Sequence, residues 1–118
     1  MNDTKVLFIP QLLELCESAV KNGPQWGTAT DDLNLTVLSW KEGQGVVEHV
    51  NNELDVLWIA LEGTAEITVD GNVHQLQQGG AIVVPRGASR ALKSTSEEFN
   101  YISIHKRRAG LQITSRLQ

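Results

Sequence analysis

Hydrophobic and polar residues alternate along the chain from residue 33 onward, in short runs separated by glycine, proline and other turn residues. Alternating runs that are rich in β-branched residues are typical of short β-strands. The sharpest turn signal is Asp70-Gly71, a pair that favours a two-residue hairpin. The predicted strands cover residues 33–41, 46–51, 54–62, 64–70, 72–76, 81–84, 89–93 and 99–105, with 111–114 as a candidate last strand. Strands at this spacing predict an all-β sandwich or barrel.

Residues 9–22 form the one stretch with helical periodicity. Their apolar residues recur at three- and four-residue spacing, at Leu12, Leu13, Cys16, Ala19 and Val20. Pro10 suits a first helical position, where an N–H would have no partner anyway. Asn22-Gly23-Pro24 would end the helix, because glycine readily adopts positive φ and proline cannot continue the helix. The sequence therefore predicts one short N-terminal helix ahead of the strands.

Size and composition indicate a single globular domain. The chain has 118 residues, which is enough for one hydrophobic core. No apolar run approaches the roughly 20 residues that a membrane helix needs, and the N-terminus lacks the pattern of a signal peptide. Cys16 has no second cysteine to pair with, so nothing suggests an oxidising compartment. We therefore expect a cytoplasmic protein without a membrane partner.

The net charge of −4 is unevenly distributed. Residues 1–84 carry 3 basic and 12 acidic side chains, whereas residues 85–118 carry 7 basic and 2 acidic ones. The basic residues cluster only at Lys106-Arg107-Arg108. Proteins that bind nucleic acids usually present a broader basic face with interleaved aromatic residues. We therefore expect no nucleic-acid partner.

Two stretches of the chain share a spaced frame of glycine, proline and polar residues. The frame positions are Gly43, His49 and Gly63 in the first stretch, and Gly79, Pro85, Gly87 and Arg90 in the second. Their spacing resembles the two sequence motifs of the cupin superfamily, and the resemblance spans residues 33–105. It implies a single-domain jelly-roll β-barrel over residues 1–118, like small bacterial cupins of undefined role. Residues 1–26 would then be the helix and lead-in, 33–105 the barrel core and 106–118 a C-terminal tail.

The same resemblance locates a metal site, but this chain lacks most of the ligand residues of that site. In metal-binding cupins the motifs supply three histidines and a carboxylate, but here only His49 matches. Asn51 and Arg90 stand at the other two histidine positions, and Val56 stands at the carboxylate position. A divalent ion needs about four donors with lone pairs, and an arginine is a cation that has none to give. We therefore expect no metal cofactor.

A polar cluster inside the barrel is the alternative that the motif positions suggest. Strand alternation as in cupins would turn His49, Asn51 and Arg90 inward, and Arg90 could hold a carboxylate with two parallel hydrogen bonds. The candidate ligand-binding residues are His49, Asn51, Glu53, Asp55, Trp58 and Arg90. Two other interpretations stay open: an internal ion pair of Arg90 with Asp55 or Glu53, and a core-filling role for Trp58.

Several functions fit this frame. The first is binding of a small organic acid or hydroxylated metabolite without a metal. The second is a metal-free isomerase or epimerase in which His49 pairs with Asp55 or Glu53 as the catalytic base. A metal-dependent oxygenase would need an atypical site, with Asp55 and His105 as the first candidate ligands. The last is a structural or regulatory module without pocket chemistry, since small cupins are commonly homodimers.

Overall fold

Nine β-strands and one short 3₁₀ helix make up the computed structural model, which describes residues 5–17 and 21–107. The helix is Leu12–Cys16, and the strands are β1 (Gly23–Ala29), β2 (Leu33–Lys41), β3 (Gly45–Val50), β4 (Val56–Glu62), β5 (Thr64–Val69), β6 (Asn72–Gln77), β7 (Ala81–Val84), β8 (Ser89–Ser94) and β9 (Glu98–Lys106). No described helix is long enough to cross a membrane, since this one has 5 residues and a span needs roughly 20.

The strands form two antiparallel sheets that enclose one interior. The larger sheet has the order β1-β2-β9-β4-β7, and the smaller sheet has the order β3-β8-β5-β6. The predicted hairpin joins β5 to β6, with φ of 48° at Asp70 and 84° at Gly71. This architecture confirms the predicted all-β jelly-roll fold. The candidate strand over 111–114 lies outside the described residues.

The helix predicted over residues 9–22 is wrong in extent. The described chain is helical only at Leu12–Cys16, residues 18–20 lie outside the description, and β1 already begins at Gly23. Leu12, Leu15 and Cys16 pack against the larger sheet, whereas Leu13 is 37% exposed. An isolated short helix has little stability of its own, so packing decides how far it extends. One 3₁₀ turn is enough to seat these three side chains.

Strand β1 occupies a stretch where the sequence predicts the end of a helix and no strand. It pairs with β2 at the edge of the larger sheet, and the register shifts between Pro24 and Trp26. Proline lacks the N–H that a ladder needs, so it is tolerated at an edge strand or a bulge. The glycines and the proline hide the alternation that marks the other strands.

Large aromatic side chains fill the interior between the sheets. Trp58, Phe99 and Tyr101 have no exposed surface, and Trp40 is 6% exposed. The Trp58 Nε1–H donates a hydrogen bond of 3.2 Å to Ser103 Oγ, and the Trp40 Nε1–H donates one of 3.2 Å to Tyr101 Oη. Burial raises the pKa of the Tyr101 hydroxyl, and the Trp40 bond partly opposes that rise. The geometry thus favours the core-filling interpretation of Trp58.

Candidate functional site

A β-bulge in β3 brings His49 opposite Arg90. Val46 pairs with Leu92 and His49 pairs with Arg90, so three residues on β3 span two on β8. A bulge adds one unpaired residue to one strand. The extra residue in β3 shifts the alternation of its side chains by one position. Val46 and His49 consequently share the interior face despite their odd spacing. On the other side of β8, Arg90 pairs with Val69 at the end of β5.

Arg90 is a fully buried cation, with 0% of its surface exposed. Its Nε–H donates to the Ala88 carbonyl oxygen at 3.1 Å, and Nη2 donates to the Pro85 carbonyl oxygen at 3.1 Å. These two bonds use one edge of the planar guanidinium, which offers five N–H donors in a fixed fork. Nη1 is buried and has no hydrogen-bond partner in the described structure. The other edge of the fork is therefore left for a further acceptor.

The ion pair proposed for Arg90 does not form. The side-chain hydrogen bonds of Arg90 go to two carbonyl oxygens, and Asp55 Oδ1 accepts the Arg86 amide instead. Burial lowers the pKa of Arg90 below its usual value, and the charge of Asp70 opposes that change. The guanidinium is thus a desolvated cation whose charge no carboxylate neutralises by direct contact. Such a group is costly unless an anion reaches it.

Asp55 and Asn51 hold the turn that anchors Arg90. Asp55 Oδ1 accepts a hydrogen bond of 2.8 Å from the Arg86 amide, and the Asn51 carbonyl oxygen accepts one of 2.7 Å from the Gly87 amide. Both bonds fix residues 85–88, whose carbonyl groups bind the guanidinium. The structure therefore gives these two residues a positioning contact with the turn.

The predicted pair of His49 and Asp55 is wrong as a hydrogen-bonded dyad. Asp55 is exposed and accepts the Arg86 amide, whereas His49 Nδ1 lies against the Val47 carbonyl oxygen, so the two side chains have different partners. The Asn51 side chain also has a local role, because its Oδ1 accepts the amides of Glu53 at 2.8 Å and Leu54 at 3.2 Å. Such a turn is a common use of asparagine. Glu53 itself is exposed.

We expect Asp55→Ala to lower the free energy of unfolding by about 1 kcal/mol, the usual net value of one hydrogen bond. The physical reason is loss of the acceptor for the Arg86 amide. Urea denaturation measures the change. Asp31→Ala is the matched control, because Asp31 is exposed and belongs to another turn. Equal midpoints for the two variants would contradict a role for Asp55 in holding the turn.

His49 presents one ring nitrogen to a backbone acceptor. Its Nδ1 lies 2.9 Å from the Val47 carbonyl oxygen, which can only accept a hydrogen bond. Nδ1 therefore carries the proton, and in the neutral ring Nε2 keeps its lone pair. The same holds for His105, whose Nδ1 lies 2.9 Å from the Lys106 carbonyl oxygen. His105 pairs with Asn34, at the end of β9.

His49, Asn51 and Arg90 offer few free donor atoms for a divalent metal. No group of three or more His, Cys, Asp or Glu side chains could hold an ion within residues 5–17 and 21–107. His49 supplies one donor, Asn51 Oδ1 already accepts two amides, and Arg90 places a cation at the paired position. An ion at this position would meet a buried positive charge instead of a third ligand.

An open depression of about 400 Å³ lies on the outer side of the smaller sheet. Its lining includes Gly45, Val47, Glu66, Thr68 and Lys93. Neither His49 nor Arg90 contributes to it. It offers a second, exposed cation in Lys93, which any test of binding at Arg90 must control for.

The backbone carbonyls of Pro85 and Ala88 are site atoms that the sequence does not reveal directly. Both accept hydrogen bonds from Arg90 across a turn of residues 85–88. The sequence feature that could have indicated them is the Pro85-Arg86-Gly87 turn just before Arg90 in the chain. A turn followed closely by an inward-facing arginine brings carbonyl groups within reach of its guanidinium.

Comparison with known proteins agrees with this architecture. Mannose-1-phosphate guanylyltransferase of Escherichia coli (strain K12) is 27% identical over 66 residues, which cover 56% of this chain and only 14% of that enzyme. BH2720 of Bacillus halodurans superimposes with a TM-score of 0.77 at 16% identity, covering 93% of this chain and 87% of that one. The SPY1581 protein of Streptococcus pyogenes, of unknown function, gives 0.70 at 23% identity, with 93% and 98% covered.

The two solved structures are similar to this chain in fold, at identities too low to transfer a function. A family comparison is more specific, since it covers both halves of the glycine and proline frame. Residues 36–105 match the cupin domain family over more than half of the sequence. With the two antiparallel sheets described above, this match shows that the chain belongs to the cupin domain family.

Proposed function

We propose that this cupin binds a small anionic, hydroxylated molecule, such as an organic acid, with Arg90 as the anion-binding residue and without a metal. The observation that carries the proposal is the buried guanidinium whose Nη1 has no partner in the described structure. Buried polar groups are nearly always hydrogen-bonded, so an unpaired one calls for an explanation. A bound anion supplies both the missing acceptor and the missing charge.

A carboxylate suits the free edge of Arg90 better than a neutral group. One edge is fixed by two carbonyl oxygens, and the opposite edge presents N–H groups of Nη1 and Nη2 in one plane. Arginine and carboxylate commonly form two parallel hydrogen bonds in this planar arrangement. His49, paired with Arg90 in the β3–β8 ladder, would offer its Nε2 to a hydroxyl group of the same ligand.

The curated relative adds a second ligand class to the experiment. Its name states that it acts on mannose 1-phosphate, a hydroxylated anion. The chain spans 14% of that enzyme, so the transferase activity itself does not carry over. The relevant likeness is chemical, because a sugar phosphate has the charge and hydroxyl groups that Arg90 and His49 could recognise. Sugar phosphates therefore belong in the ligand panel beside hydroxy acids.

A matching ligand should raise the melting temperature of the protein. At 100 times its dissociation constant, a ligand that binds only the folded state adds about 2.7 kcal/mol. For a domain of this size, that corresponds to an increase of roughly 10 °C. Differential scanning fluorimetry with hydroxy acids, keto acids and sugar phosphates measures the shift. Divalent metal salts form a separate arm, in which we expect no shift.

Arg90→Gln should abolish the ligand-induced shift, because glutamine keeps polarity but loses the charge and the fork. Arg86→Gln removes an exposed cation from the adjacent turn and should keep the shift. Lys93→Gln removes the cation of the outer depression and should also keep it. A shift that survives Arg90→Gln and disappears in Lys93→Gln would place the anion outside the barrel. A shift with metal salts alone would contradict the metal-free pocket.

A further inference from the structure

A row of polar side chains lies on the interior face of the larger sheet. Thr36 and Asn34 on β2 alternate in step with the core residue Leu38, and the pairing of β2 with β9 has no register shift. In this ladder Thr36 pairs with Ser103, and Asn34 pairs with His105. The "polar row" below means these four residues: Asn34, Thr36, Ser103 and His105.

The polar row and Arg90 lie at the same end of the barrel. Val84, the last residue of β7, leads through the turn of residues 85–88 to Arg90. β7 pairs with β4 at this end, and Trp58 on β4 pairs with Ser103. Two packed sheets lie about 10 Å apart. The polar row therefore faces the smaller sheet, which carries Arg90, across the interior.

The inward-facing residues at this end of the larger sheet keep contact with solvent. Asn34, Thr36 and His105 are half-buried although they share the interior face with the core. Farther along the same strand, Tyr101 has no exposed surface. Partly exposed polar residues on an interior face are typical of the mouth of a ligand pocket in a β-barrel. The mouth gives a ligand a route toward Arg90, which is itself fully enclosed.

The hydroxyl group of Ser103 has unused hydrogen-bonding capacity in a buried position. Ser103 is 1% exposed, and its Oγ accepts the Trp58 Nε1–H at 3.2 Å. An indole N–H can only donate, so the serine proton needs an acceptor of its own. The part of the chain that the structure describes provides none. Buried polar groups nearly always have partners, so a hydroxyl group of a bound ligand would supply the missing acceptor.

We propose that the ligand of Arg90 is a polyhydroxylated carboxylic acid, such as a sugar acid, and that the polar row binds its hydroxyl groups, a proposal that rests on the function proposed above for Arg90. The row combines hydroxyl, amide and imidazole groups, which together donate and accept hydrogen bonds. A sugar hydroxyl group also does both. A second carboxylate or a phosphate would favour a lysine or an arginine instead, and the row contains neither.

The separation of the two sheets favours a ligand of several carbons. The guanidinium of Arg90 stays beside the turn of residues 85–88, where it donates to two carbonyl oxygens. A short acid held there can contact His49, its neighbour in the ladder, but does not reach Thr36 and Ser103 on the facing sheet. A longer chain with hydroxyl groups reaches both sheets. Each hydrogen bond that it gains should improve the affinity roughly fivefold.

Isothermal titration calorimetry with glycolate, glycerate and gluconate tests the proposal, because these acids carry an increasing number of hydroxyl groups. We expect the dissociation constant to fall along the series. Thr36→Val keeps the branched shape but removes a hydroxyl group of the row. It should weaken gluconate binding roughly fivefold and leave glycolate binding unchanged. Ser103→Ala should have the same effect.

Thr68→Val is the matched control for Thr36→Val. Thr68 is also a half-buried threonine on a strand, but it lines the depression on the outer side of the smaller sheet. This variant should leave gluconate binding unchanged. Ser103→Ala also removes the acceptor of the Trp58 N–H, so urea midpoints are measured for every variant. If Ser103→Ala does not fold, Thr36→Val alone decides the result.

The outcomes distinguish this proposal from the proposed function. Equal affinities for glycolate and gluconate, both lost in Arg90→Gln, would overturn the role of the polar row and leave Arg90 as the anion-binding residue. Gluconate binding that Thr36→Val leaves unchanged, or that Thr68→Val weakens equally, would have the same meaning. Gluconate binding that survives Arg90→Gln, or no binding of any of the three acids, would overturn both proposals.

Discussion

Arg90→Met should make the ligand-free protein more stable, by about 1–3 kcal/mol, while removing its response to anions. A buried charge without a partner costs several kcal/mol, and replacing buried ionic groups by apolar ones of similar volume is often stabilising. The expected gain is a net value. It already includes a loss of about 1–3 kcal/mol, because the buried Ala88 carbonyl loses the Arg90 Nε–H as its donor. Urea denaturation in a buffer free of small organic anions and phosphate measures the difference.

Arg90→Lys is the control for Arg90→Met. Lysine keeps a buried positive charge but cannot reproduce the planar fork, so it should give no gain in stability and weak anion binding. An Arg90→Met protein that is less stable than the parent would show that the guanidinium is already neutralised in solution. That result would count against the proposed binding function as well, because a satisfied arginine has no need of a ligand.

Gly63→Ala should destabilise the protein by about 3–4 kcal/mol, which is large against the 5–15 kcal/mol of a typical domain. Gly63 joins β4 to β5 with a φ of +86°. The left-handed region costs an L-residue about 1–2 kcal/mol by itself. In addition, an alanine Cβ at this position would overlap the carbonyl oxygen of Glu98 and approach Ser96 Oγ. Urea denaturation again gives the measurement.

Gly79→Ala separates the two contributions to that loss. Gly79 has nearly the same φ, +87°, but an added Cβ would meet nothing within 4 Å. It should therefore cost only the conformational part, about 1–2 kcal/mol. Equal losses of unfolding free energy in the two variants would show that the chain near Glu98 can move aside without destabilising the protein. Because the two glycines belong to the two cupin motifs, the comparison also separates turn geometry from packing within the frame.

The strands could be predicted from the sequence because their signals are local. β2 and β7 have the predicted bounds of 33–41 and 81–84, and the Asp70-Gly71 turn joins its two strands as expected. The family frame depends on the same local chemistry, since glycines at positive φ mark the turns. The position of Arg90 on the interior face follows from alternation along β8 alone.

Other features depend on contacts between distant segments. The bulge between Val46 and His49 is defined by the pairing with β8, and no residue type in β3 predicts it. Asp55 looked like a catalytic carboxylate, but its partner is a backbone amide 31 residues away. The described chain is helical only over Leu12–Cys16, whereas the periodicity of the sequence continues to Val20. Sequence patterns report preferences of single segments, so they miss features that a partner segment decides.

The two carbonyl oxygens that hold one edge of Arg90 also restrict how a ligand can be oriented. A guanidinium that cannot rotate fixes the plane of a bound carboxylate, and His49, which pairs with Arg90 in the ladder, offers a second contact at a fixed position. With the carboxylate held by Arg90 and the hydroxyl group held by His49, the other substituents of the carbon between them point in fixed directions. We expect such a site to distinguish the two mirror-image forms of a hydroxy acid, so chirality becomes a property that this turn can select.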